Sequence, residues 1–132
     1  MKKSKVLTTY LIISGLLLTF IGGATLANPI AMKASAGIDI SQNISVINDV
    51  RAASALFLAV ALLTIIGAFR TKLTYTSNLV VSLLFLSLGL GRLISILSDG
   101  IPVDGLVKAT GLEFILGIIG VFLFQKYKSV SN

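Results

Sequence analysis

The residues of this sequence able to do chemistry are few, and they sit where charge is costly. Arg92 lies in Leu90-Gly91-Arg92-Leu93-Ile94 and Glu113 in Gly111-Leu112-Glu113-Phe114-Ile115, each inside a long apolar run; Arg51 opens another such run. A charge within a membrane helix costs several kcal/mol by most scales, so it turns to the protein interior and takes a partner. Arg92 stands seven residues before Asp99, roughly 10 Å of helix at the usual rise. Glu113 stands nine residues after Asp104, roughly 13 Å by the same rise. Asp99 and Asp104 flank one short turn, so the two depths agree within the reach of an arginine side chain. Arg92, Ser95 and Asp99 also share a helix face through their spacing.

Arg51, Arg92, Asp99 and Glu113 are therefore expected to form one buried cluster in the outer half of a helical bundle, with Asp39 in the loop above it. Two readings compete. In one, two arginines and two carboxylates neutralise each other and lock helices in register. In the other, they line a pocket that binds an amphiphile, or they relay a proton through Glu113. The zero sum of formal charge favours the clasp, although a buried ionisable residue is a site candidate by default.

The elements that must position these residues are legible in the composition. Of 132 residues, 55% are hydrophobic and only 12% charged; a soluble domain carries about 25% charged residues. Lipid must be the solvent for most of the chain. Apolar runs cover 6–27, 52–69, 73–97 and 106–124, each long enough for a bilayer of about 30 Å. Helices satisfy their own backbone in lipid, and no alternating strand pattern of a membrane barrel is visible. The spacing predicts an all-α, four-helix transmembrane bundle forming a single domain over 1–132. Its helices run over about 6–27, 46–69, 73–97 and 105–125, with an outer loop over 28–45. Ser45 and Asn48 are N-cap candidates for the second helix. The first run follows Lys2, Lys3 and Lys5 as a signal peptide would. It is, however, about twice as long as the usual apolar core of 7–15 residues, and reads as an uncleaved helix.

Charge sorts the connections. Lys2, Lys3 and Lys5 precede the first helix, Arg70 and Lys72 join the second to the third, and Lys126 and Lys128 follow the fourth. The other side holds Lys33 and Lys108 among Asp39, Asp49, Asp99 and Asp104. The positive-inside rule then puts both termini in the cytoplasm of a multi-pass plasma-membrane protein. The net charge of +6 punctuates helix ends rather than forming a basic face, which argues against a nucleic-acid partner. The chain has no cysteine and no histidine. That excludes thiol chemistry, the usual zinc sites and histidine-ligated haem, and no cofactor is expected. Small residues recur at helical spacing as Gly15, Thr19, Gly23 and Ala27, as Ser87, Gly91 and Ser95, and as Ala55 and Ala59. Such ridges let helices approach closely in a membrane.

Gly37-Ile38-Asp39, Arg51-Ala52, Gly91-Arg92, Asp99-Gly100-Ile101-Pro102 and Glu113 occur in that order. In this the sequence resembles, over nearly its whole length, the small four-helix bacterial membrane family catalogued as domain of unknown function 4345. The resemblance implies an integral protein of the bacterial inner membrane and implies no activity. The family pattern has a Tyr-Gly-Gly-like stretch after the Arg-Ala pair, where this chain has Ala53-Ser54-Ala55.

The first functional expectation is a non-enzymatic protein that binds a small amphiphile, or a membrane-protein partner, through the outer half of its bundle. The alternative is a proton-coupled small-molecule transporter using Glu113. Small multidrug-resistance transporters have similar size but depend on a glutamate in the first helix, which is lacking here. A membrane enzyme ranks last, because no triad-like grouping of Ser or Tyr accompanies the carboxylates. An accessory subunit docking through a small-residue ridge is the remaining expectation.

Overall fold

The computed structural model describes residues 4–128, and its regular elements are all helices: α1 (Lys5–Ala27), α2 (Pro29–Ser35), α3 (Ile44–Phe69), α4 (Thr71–Asp99) and α5 (Asp104–Lys128). Lys2 and Lys3, which the charge argument used, lie outside the described residues. Four of the helices, of 23 to 29 residues, are long and apolar enough to cross a membrane.

Local chemistry explains the boundaries. Ser4 caps α1 by accepting from the Leu7 N–H at 3.2 Å. Asn28 ends α1 and starts α2, accepting from Ala31 N–H at 3.1 Å, with Pro29 in the first turn where its missing N–H is harmless. Thus the loop over 28–45 is partly helical. Helix α2 ends at Ser35, and Gly37 just beyond its C-cap Ala36 has a φ of +84°, a left-handed conformation that favours glycine. Helix α3 begins earlier than its apolar run suggests. Its N-cap is Asn43, which accepts from Val46 N–H at 3.0 Å, and neither Ser45 nor Asn48 plays that part. Both already stand within the helix that the Asn43 cap starts.

A single residue, Arg70, separates α3 from α4. Thr74 Oγ1 bonds back to Gly67 O at 2.7 Å and Ser77 Oγ to Leu63 O at 2.9 Å, pinning the hairpin. Helix α1 packs along α3, α3 along α4 and α4 along α5, while α1 meets α5 over a small patch only. The α1–α3 seam is close because a Cβ on Gly15 would stand 2.5 Å from Ile65 Cγ1, and one on Gly22 would stand 3.0 Å from Ser54 O. That seam departs from the expected ridge. Thr19 and Ala27 are exposed, and the buried line runs through Gly15, Leu18, Gly22 and Thr25. The period is the helical 3.6, not four, so a strict i+4 series drifts off the contact face. Ala55 and Ala59 likewise face outward, with Ser54, Ala61, Thr64 and Ala68 buried instead.

The interior is small and hydroxylated: Ser14, Thr64, Ser77, Asn78 and Ser82 are fully buried, whereas Phe20, Leu62, Phe69, Leu97 and Phe122 are exposed. Lipid is as apolar as leucine, so large side chains lose nothing by facing it, and close contact plus hydrogen bonding hold the helices. Most buried hydroxyls bond to a carbonyl one turn back, as Ser54 does to Val50 and Thr64 to Val60.

Candidate functional site

Helix α4 carries Arg92 about two turns before its C-terminus, and α5 carries Glu113 about two and a half turns inside its start. The close α4–α5 packing brings them together. Arg92 Nε donates to Glu113 Oε1 at 2.7 Å, with side chains 31% and 12% exposed. A charge-assisted bond this short fixes the guanidinium plane. Among the described residues the terminal guanidinium nitrogens have no further hydrogen-bond partner.

The other three expected members of the cluster have separate partners. Arg51 Nη1 donates to the Leu26 carbonyl in the last turn of α1. That carbonyl is one of four that a helix C-terminus leaves without an intrahelical partner, and a cation there also complements the helix dipole. Asp99 accepts from Ser95 Oγ at 3.0 Å on its own helix and is exposed. Asp39 accepts from the backbone N–H of Ser41 at 2.9 Å and from its hydroxyl at 2.6 Å. Those two bonds hold the Asp39 carboxyl below its ordinary value, and they shape a turn rather than a pocket. Matching depths in α4 and α5 thus bring Arg92 to Glu113, while Arg51 meets a backbone partner that residue types alone do not disclose.

Beside the pair lies a cavity of about 560 Å³, within the range of about 300–1,000 Å³ typical of small-molecule sites. Ile21 and Thr25 of α1, Val50 and Phe57 of α3, and Ser87 and Leu88 of α4 form much of its wall, with Lys33, Asp49 and Arg92 as its charged members. The ridge Ser87-Gly91-Ser95 is exposed on this wall and does not pack against another helix. Its small side chains are the reason there is room. A smaller recess of about 70 Å³, lined by Arg92, Pro102, Leu106 and Thr110, adjoins the pair on the α5 side.

Lys33 reaches the cavity from α2. Burial pushes its ammonium below the ordinary lysine value, and the Arg92 guanidinium lowers it further. In the sequence Lys33 and Asp49 stand out only as orientation charges. The signal for Lys33 was available in Asn28-Pro29 and Gly37, which bracket a short helix and so give the lysine a fixed direction.

A second buried network was not anticipated. Asn78 Nδ2 donates to Gly120 O at 2.9 Å and to Ser82 Oγ at 3.2 Å, and Tyr10 OH donates to Leu116 O at 2.8 Å. These bonds tie α1 and α4 to α5 at the end opposite α2. An asparagine within the apolar run 73–97 was its sequence signal. The described residues contain no grouping of three or more Asp and Glu able to hold a metal ion.

No match was found among curated proteins or among solved structures. A family model does match, over residues 6–124, and the chain belongs to that family, described as a domain of unknown function, DUF4345.

Proposed function

We propose that this multi-pass membrane protein is a non-enzymatic protein of the bacterial inner membrane that takes a small amphiphile into the cavity beside Arg92. The observation that carries the reading is the cavity itself: an apolar wall from three membrane-spanning helices, with Lys33, Asp49 and Arg92 as its charged groups. Ligand sites combine an apolar lining with a few convergent polar groups in this way. Lys5, Arg70, Lys72, Lys126 and Lys128 gather at the opposite end of the bundle, so the positive-inside rule turns the cavity to the outer face. Helix α2, held on Asn28 and Pro29, is its lid, and Glu113 anchors Arg92 rather than relaying protons.

Ser87→Trp tests this by filling the cavity from the exposed side of α4. Native mass spectrometry of the full chain released from nanodiscs should show a retained amphiphile in the wild type and its loss in the variant, with little change in thermal stability. Equal retention by both would overturn the reading.

A further inference from the structure

Two cations, Lys33 and Arg92, line this cavity, and among the described residues neither forms an ion pair with Asp49, the carboxylate of its lining. Among the described residues Lys33 Nζ has no hydrogen-bond or ion-pair partner, and Arg92 spends only its Nε on Glu113. The two terminal nitrogens of a guanidinium form a planar fork that matches a carboxylate or phosphate, and here the Glu113 bond orients that fork in advance. Lys33 is half-buried, and the charge that acts on its ammonium is that of Arg92, a like charge. Asp49 shares the wall but is exposed, where water screens it. Ile21, Phe57 and Leu88 continue the cavity as apolar wall.

We infer that the occupant carries an anionic headgroup, carboxylate or phosphate, seated between Lys33 of α2 and the terminal guanidinium nitrogens of Arg92 of α4, with its apolar chain along Ile21, Phe57 and Leu88. The inference rests on the amphiphile-binding reading above and adds the sign of the headgroup. It gives α2 a second duty: an anion bound to Lys33 draws the lid toward α4. The chemistry fits a free fatty acid and an anionic phospholipid alike.

The test uses the full chain in phosphatidylcholine nanodiscs and four probes: dodecanoate, dodecanol, dodecyltrimethylammonium and phosphatidylglycerol. Binding is read by thermal shift and native mass spectrometry for the wild type, Lys33→Gln, Ser87→Trp and the surface control Lys72→Gln. Dodecanoate or phosphatidylglycerol should bind the wild type and Lys72→Gln equally and Lys33→Gln about tenfold or more weakly, as loss of one charge-assisted bond implies. Dodecanol should be indifferent to Lys33. Preference between the two anions identifies the source, a free acid or a lipid headgroup. If dodecanol or dodecyltrimethylammonium binds as tightly as dodecanoate and is lost in Ser87→Trp, the cavity reading stands and the anionic headgroup is wrong. If Ser87→Trp alters the binding of no probe, the cavity reading itself fails.

Discussion

At the scale of single residues, the Arg92–Glu113 bond decides how charge is tolerated inside the bundle. Removing one partner leaves the other uncompensated in a poorly hydrated setting. Arg92→Leu and Glu113→Leu should each destabilise the protein by about 1–3 kcal/mol, less than a fully buried pair would cost because Arg92 is partly open. The double variant should recover most of that loss, and unfolding in nanodiscs measures the coupling. Singles that leave stability unchanged would mean the pair is held at no structural gain. Lys33 gives a pH prediction. Its ammonium is depressed below the ordinary 10.5, so the unfolded chain holds that proton more tightly than the folded one. Stability therefore rises with pH across the window from the folded value up to 10.5, as the buried charge is discharged. The facing groups are Arg92 on α4 and Asp49 on α3, with no charged residue contributed by α1. In the difference between wild type and Lys33→Met, this alkaline rise should appear; a flat difference would remove Lys33 from the account.

At the scale of elements, glycines separate packing from open space. A Cβ on Gly22 would meet Ser54 O at 3.0 Å and Leu58 N at 3.2 Å, both backbone atoms of α3. Gly22→Ala must move a helix and should cost about 1–3 kcal/mol. Gly91 has nothing within 4 Å of its Cβ position, so Gly91→Ala should be neutral or stabilise by up to about 1 kcal/mol through helix propensity. Thermal unfolding of the pair checks both signs at once. The same contrast shows why the small-residue series divides: Gly15 joins α1 to α3, as does Gly22 outside the series, whereas Ser87, Gly91 and Ser95 leave a wall uncovered. Small side chains permit either outcome, and the neighbouring helix selects between them.

At the scale of the whole molecule, charge and hydropathy predict orientation. The absence of native cysteine makes single-cysteine labelling clean. In intact cells a membrane-impermeant maleimide should label Ser41→Cys, in the segment between α2 and α3, and should spare Thr71→Cys until the membrane is permeabilised. The reverse pattern would invert the bundle and turn the cavity to the cytoplasm. Most of the fold was legible because hydrocarbon imposes a length and an internal hydrogen-bond rule on any chain that crosses it. The four runs therefore predict four long apolar helices, and the structure has four, although α3 begins at Ile44, well ahead of the apolar run at 52. Asn43 was overlooked as a cap since it stands in a polar stretch where hydropathy carries no boundary signal.

What the sequence determined by itself is the solvent of the chain, its helical class, and the depth agreement that brings Arg92 to Glu113. Each follows from residue type and the helical rise alone. Only the tertiary structure decided that Arg51 caps α1, that Asp99 and Asp39 bond within their own segments, and that Lys33 joins Arg92. Those outcomes depend on the rotation of each helix about its axis and on unpaired backbone carbonyls. Both are set by side-chain contacts between elements far apart in sequence, which a linear pattern does not encode.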